Sequence, residues 1–446
     1  MLAARASAAR AASRIARNFA TVVDSAGVKV AAADNGEPTS AVTFIVKAGS
    51  RFESKPGVAH ALKNFAFKST DKRSTLGTIR EAELYGGVLS SSLSREHLAV
   101  TAEFLRGDEA FFVDVLSSFL TSTKFTRYEL DEMVAHTCEA ETAAAFANPA
   151  THALELAHGI AFRNGLGNSL FATAGHHLSA EDIKAYAQTV FGSGNVAVLG
   201  TGIDPAALEK LLEKSLGKFS HSASPSSAPS KYFGGETRID THGAAETVFI
   251  GFGATGAPSA ELAVLAAHLD PTPSVKWSKG TSPIAAAIPE GSSVRAVHLP
   301  YSDASLFGLL VQGQTTADVK EAGKAAVAAL KAAGDLKGEE LQKAIAKAKF
   351  TAASALDARD GVVATIGPKV LSGSSASLND VVSSLEKVDA SAFSKVNLPC
   401  TVAISSLIVS SVGYGVSAQD EADLCGCRRH QDPSLCGRGW TLRRKK

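Results

Sequence analysis

Apolar and polar residues alternate along Val28-Lys29-Val30-Ala31-Ala32-Ala33, and the chain then runs apolar through Ala41-Val42-Thr43-Phe44-Ile45-Val46. From Val58 to Phe67 the period lengthens to that of a helix. A half-buried strand repeats every two residues and a helix every 3.6, so two strands followed by a helix are predicted. Gly87–Ser94 and His97–Phe104 read as paired strands, followed by helices over 108–122, 127–146, 150–164 and 180–191 and a strand at Asn195–Gly200. After residue 230 the order returns: a strand at Thr247–Gly251, a helix over 259–269, strands over 293–299 and 305–312, and helices over 316–333 and 337–355. Ser220–Ser230, rich in Ser, Pro and Ala, offers nothing to anchor a core and reads as a linker between the halves. A duplicated α+β domain is the economical reading.

Composition narrows the function classes. With 45% hydrophobic and 20% charged residues, the 446-residue chain is globular. Its 45 basic and 44 acidic residues leave a net charge of +1, with no field of one sign to attract a polyanion, so nucleic acid is not an expected partner. The longest apolar runs, such as Val402–Val412, fall short of the ~20 residues that cross a bilayer as a helix. Residues 1–23 stand apart: Arg5, Arg10, Arg14 and Arg17 occur among alanines with Ser7 and Ser13, and no acid precedes Asp24. That is the composition of a mitochondrial transit peptide. Five cysteines, only Cys138 of them before residue 400, suit a reducing compartment.

The chemistry-bearing stretch is Gly57-Val58-Ala59-His60-Ala61-Leu62-Lys63-Asn64-Phe65-Ala66-Phe67, on the helix that follows two strands. It resembles the zinc-binding helix of the insulinase and mitochondrial processing peptidase family, whose H-x-x-E-H pattern places two metal-ligating histidines around a glutamate base. Ala48-Gly49-Ser50-Arg51-Phe52-Glu53 before it and Ser94-Arg95-Glu96-His97 after it agree with the family in type and order. Here the motif reads His60-x-x-Lys63-Asn64: the first ligand position survives, the base has become lysine and the second ligand asparagine. Lysine is protonated at neutral pH and puts a positive charge where a cation would sit. The resemblance implies a third ligand on the helix over 127–146, where Glu139 and Glu141 are candidates. One histidine and one glutamate do not make a tetrahedral zinc site, so neither a catalytic residue nor a bound metal is expected.

Five further stretches, Phe67–Arg73, Ser230–Glu236, Lys276-Trp277-Ser278, Tyr301–Ala304 and Ala344–Phe350, are similar to the non-catalytic core proteins that the family contributes to fungal ubiquinol:cytochrome c reductase, respiratory complex III. The whole resemblance covers roughly residues 25–396. It implies two similar peptidase-like (LuxS/insulinase-like) α+β domains, 24–219 and 231–396, joined by the 220–230 linker. It also implies a structural role without cofactor, on the matrix side of the inner mitochondrial membrane. The partners implied are core protein 1, cytochrome b, cytochrome c1 and the Rieske protein. The alternative is the non-catalytic, presequence-binding subunit of the processing peptidase. That subunit carries a long glycine-rich loop in its second half, and Asp270–Trp277 has none.

Three features stand outside this reading. Gly251-x-Gly253-x-x-Gly256 satisfies a dinucleotide fingerprint in form, but no βαβ unit with a closing acidic residue follows, and a tight strand-to-helix turn is expected instead. His176-His177 precedes Ser179, a good helix N-cap with Asp182 nearby, and reads as loop. Residues 397–446, with Cys425, Cys427 and Cys436, lack both the family ending and the paired spacing of a zinc site; a replaced closing strand is expected there.

Overall fold

Strand propensity and helix caps place the elements where the pattern predicts most of them. The computed structural model describes residues 22–411 except 26, 35, 174–177, 218–224, 240–244, 274–276, 278–279, 281, 337, 374–377 and 390–406. In the first half β1 (Val22–Ser25), β2 (Val28–Ala33) and β3 (Thr39–Val46) lead to α1 (Val58–Asn64) and α2 (Thr75–Leu84). Next come β4 (Val88–Leu93), β5 (Leu98–Leu105), α3 (Glu109–Ser122), a π-helical turn (Leu130–Val134) running into α4 (Ala135–Ala147), then α5 (Pro149–Phe162) and α6 (Ala180–Val190). The half closes with β6 (Val196–Thr201) and α7 (Pro205–Leu216). β1 begins at Val22, inside the last residues of the expected leader, whose first 21 residues lie outside those described.

The second half has β7 (Glu236–Ile239), β8 (Glu246–Thr255), α8 (Ala260–Leu269), β9 (Ser293–Pro300) and β10 (Ala304–Gly313). It continues with α9 (Thr316–Ala332), α10 (Gly338–Ala355), α11 (Arg359–Ser372), α12 (Leu378–Glu386) and β11 (Leu407–Ser411). Short polar side chains stop the preceding backbone and start the helices: Ser74, Asn148, Ser179, Asp204, Ser259 and Thr315 each accept a hydrogen bond from a first-turn N–H. At Ser179 the bond is reciprocated by Asp182, completing a capping box.

The duplication is visible in the sheets. Their orders are β1-β2-β6-β3-β5-β4 and β7-β11-β8-β10-β9. In each, the first strand of the repeat runs parallel to the last (β2 with β6, β7 with β11), and every other pairing within the repeat is antiparallel. Thus β2 to β6 correspond one by one, in sequence order and direction, to β7 to β11. β11 fills the closing position, so the second sheet is completed from within the segment 397–446.

Each sheet buries one face under helices of its own half and the other under a helix from the opposite half. Ala153, Ala157 and Ala161 recur every fourth residue on α5 and lie against Phe249, Val297, Leu306 and Leu310 of the second sheet. In return Val362, Ile366 and Val370 of α11 pack on Ala31, Ala33, Ile45, Ala99, Ala197 and Leu199 of the first. Bulk sits on the sheet in one contact and on the helix in the other, so large side chains meet small ones across each. Polar bonds pin α11 at both ends: Arg359 donates to Glu103 Oε2 (2.5 Å) and Thr39 Oγ1 (2.6 Å), and Lys29 Nζ donates to the Leu371 carbonyl (2.8 Å). The halves are therefore interlocked beyond the linker.

Candidate functional site

Gly57 precedes α1 as its N-cap, and its φ of 86° and contact with Ala172, 2.7 Å from where a Cβ would stand, require glycine. Val58, Ala59, Ala61 and Leu62 are buried and fix the helix in the first core. His60, Lys63 and Asn64, three and four residues apart, consequently share the face turned to α4.

All three meet one carboxylate. Glu141 Oε2 lies 2.6 Å from His60 Nε2 and 3.0 Å from Asn64 Nδ2, and Oε1 lies 2.5 Å from Lys63 Nζ. The Ala172 N–H donates to His60 Nδ1 (3.1 Å), so the proton of the neutral ring resides on Nε2 and is donated to Glu141. Burial favours that neutral ring, lowering the His60 pKa against the pull of Glu141. Burial alone would raise the pKa of Glu141. The donors Asn64, Lys63 and His60 outweigh it and bring the carboxyl down to about 2. Asn64 also points Nδ2 at the buried Cys138 Sγ, 3.3 Å away. Of the two carboxylates left open by the sequence, the structure brings Glu141 into the cluster and leaves Glu139 at the surface beside His136.

These residues do not fit zinc. A tetrahedral site needs ligand lone pairs aimed at the metal. Here the imidazole nitrogen facing Glu141 carries a proton, residue 64 presents an amide N–H, and an ammonium group occupies the carboxylate. Among the described residues no three His, Cys, Asp or Glu side chains are grouped to hold a metal ion.

The stretches flanking the motif serve a different place. Arg51, its side chain 5% exposed, donates to Glu96 Oε1 (2.7 Å), to both oxygens of Asp303 (2.7 and 2.6 Å), to Ser302 Oγ (3.2 Å) and, through Nε, to Ser227 Oγ (2.6 Å). Ser302 returns its N–H and hydroxyl to Glu96, and Ser230 donates its N–H (2.9 Å) and hydroxyl (3.0 Å) to Asp303. One guanidinium thus ties the 3-10 turn Ser50–Phe52, the β4–β5 turn, the β9–β10 turn and the linker together. Burial opposes charge on Asp303, but Arg51 and Ser230 prevail and hold its pKa at about 2. The described part of the linker is accordingly anchored by hydrogen bonds, where the sequence suggested no anchor. Nearby, Arg95 is held by Glu155 (2.6 Å) and by the carbonyls of Leu166 and Asn168. His158 donates from Nδ1 to the Leu154 carbonyl (2.6 Å) and accepts from the Tyr301 hydroxyl at Nε2 (2.7 Å), while burial lowers its pKa to about 3.

Gly251 and Gly253 lie inside β8, while Gly256, at φ 115°, stands in the expected strand-to-helix turn. A Cβ on Gly251 would stand 2.5 Å from the Phe307 carbonyl, and one on Gly253 2.5 Å from the Tyr232 ring. His176-His177, Cys425, Cys427 and Cys436 fall outside the described residues.

Residues 29–174 match the family model for insulinase (peptidase family M16), and residues 177–348 match the peptidase M16 inactive domain. Similar proteins include the mitochondrial cytochrome b-c1 complex subunit 2 of Cryptococcus neoformans, 45% identical over 380 residues, 83% of this chain and 88% of the relative. The subunit of the same name from Yarrowia lipolytica is 38% identical over 362 residues, 80% of this chain and 86% of its own length. That of Homo sapiens is 30% identical over 360 residues, 77% and 79% of the two chains.

Proposed function

The chain belongs to the insulinase, or peptidase M16, family, on its mitochondrial cytochrome b-c1 complex subunit 2 branch, and from that membership we propose that it is core protein 2, a non-catalytic structural subunit of respiratory complex III. The observation that carries the reading is similarity to complex III subunits across both halves of the fold. The cluster on α1 supports the absence of peptidase chemistry: the position of the base is a lysine bonded to Glu141, and the position of the second histidine is Asn64. The relatives described are named for complex III and not for the processing peptidase, which favours the structural role over presequence binding.

No helix of the described residues is long and apolar enough to cross a membrane. In the proposed arrangement the chain sits peripherally on the matrix side of the inner membrane, against core protein 1 and the subunits that carry the redox centres: cytochrome b, cytochrome c1 and the Rieske protein. It holds no cofactor of its own. Its contribution is buried interface, which in obligate assemblies commonly exceeds ~2,000 Å². Mitochondria depleted of this chain are expected to lose assembled complex III, read as a fall in b- and c-type haem absorbance and in the complex on native gels. Unchanged haem with accumulation of uncleaved precursors would favour the processing-peptidase alternative.

A further inference from the structure

The misfit between the α1 cluster and zinc has a definite form. A metal-bound carboxylate and histidine are held together by a cation between them. In this chain the carboxylate of Glu141 is held by three donors from a single helix: His60 Nε2–H, the Lys63 ammonium and Asn64 Nδ2. Only one of the three carries full charge, since the His60 ring takes its second hydrogen bond as an acceptor at Nδ1. Glu141 stands on α4, and Ala172 holds the far side of the His60 ring, while Phe171 meets it edge-on at a centroid distance of 5.6 Å. The cluster therefore connects α1, α4 and the segment before α6. Lys63 is 16% exposed and Glu141 34%, so the pair is screened from water more than a surface ion pair but is not sealed.

We infer that this cluster is a metal-free staple: the Lys63 ammonium supplies, from the chain itself, the positive charge that fastens α1 to α4 through Glu141, and the fold of the first half is independent of any bound metal. Three donors and one carboxylate satisfy each other, and a divalent cation entering the cluster would have to displace the ammonium and strip the proton from Nε2. The inference concerns the chain itself and stands whether or not the complex III assignment does.

The test is a double-mutant cycle on the full chain, with metal content measured alongside. Lys63→Met, Glu141→Gln and the double variant K63M/E141Q are compared with the native chain by thermal unfolding, with and without chelator. Zinc is quantified by elemental analysis after dialysis against zinc. The native chain is expected to retain no stoichiometric zinc and to melt at the same temperature in chelator. Each single change should lower the melting temperature by roughly 4 °C, with Glu141→Gln the larger because it leaves an ammonium without its carboxylate. The double variant should lose less than the two single losses added. Close to one zinc per native chain, with a melt that falls in chelator, would overturn the inference even if the variants do not fold. Strict additivity of the two changes would overturn it as well, because a packing role without charge pairing predicts additivity.

Discussion

Replacing the buried Arg51 by Ala is expected to loosen the union of the two halves. The substitution leaves Glu96, 8% exposed, and Asp303, 32% exposed, facing each other without the guanidinium that joins them, and it strips a donor from Ser227 in the linker. Removing one partner of a buried ion pair costs about 3–5 kcal/mol, and the partial exposure of Asp303 places the expected loss near the lower figure, about 3 kcal/mol. Arg51→Lys keeps the charge but cannot bond both oxygens of Asp303 and Ser227 together, so it should fall between the two. The effect has a pH signature. The Asp303 pKa is lowered to about 2 from an ordinary value of 3.8, so the stability it contributes is fully present above 3.8 and is lost as pH falls through 2. The gap between native and Arg51→Ala chains in chemical denaturation should therefore narrow over that interval. A native-like denaturation curve for Arg51→Ala at neutral pH would contradict the assignment.

Residues 24–219 produced alone are expected to be insoluble or molten, and to become soluble and to melt cooperatively when co-produced with residues 225–446. Without α11, the sheet face of Ala31, Ala33, Ile45, Ala99, Ala197 and Leu199 is open, and Lys29, Thr39 and Glu103 lose their partners on that helix. Without the second sheet, the Ala153, Ala157 and Ala161 stripe of α5 is uncovered too. Apolar faces of this extent favour association over a folded monomer. Solubility, size-exclusion profile and near-ultraviolet circular dichroism of each half and of the pair read the outcome. A monomeric, cooperatively melting 24–219 fragment would show that the reciprocal helices are accessory.

Much of the fold was legible because strand and helix periods are strong where a face is buried. The pattern places β2 at Val28–Ala33 and puts the long helices α3, α9 and α10 within a few residues of their ends. α2 escaped because its large apolar residues, Leu76, Ile79 and Leu84, are exposed while it buries only Thr78 and Ala82. α11 has no counterpart among the expected elements, and it carries Gly367 and Pro368, residues unfavourable inside a helix, in its interior. α7 could have been found, since Asp204-Pro205 is a start signal and Leu208, Leu212 and Leu216 form its buried stripe.

The candidate site divides in the same way. Substitution at Lys63 and Asn64 was plain in the sequence, but the choice of Glu141 over Glu139 depends on which side of α4 faces α1. The Ala172 N–H that fixes the His60 tautomer is a backbone group with no sequence signal. The stretches around Arg51, Glu96 and Ser302-Asp303 stand out in the sequence by their resemblance to the family. Their physical task, bolting the halves and the linker together, emerges only when three distant segments meet.

The most direct measurement of the central claim is mild-detergent purification of the tagged chain from mitochondria, followed by an absorbance spectrum and identification of the co-purifying subunits. Stoichiometric b- and c-type haem together with a second chain of the same fold is the predicted result. Recovery without haem, alongside a partner that carries an intact H-x-x-E-H, would contradict it.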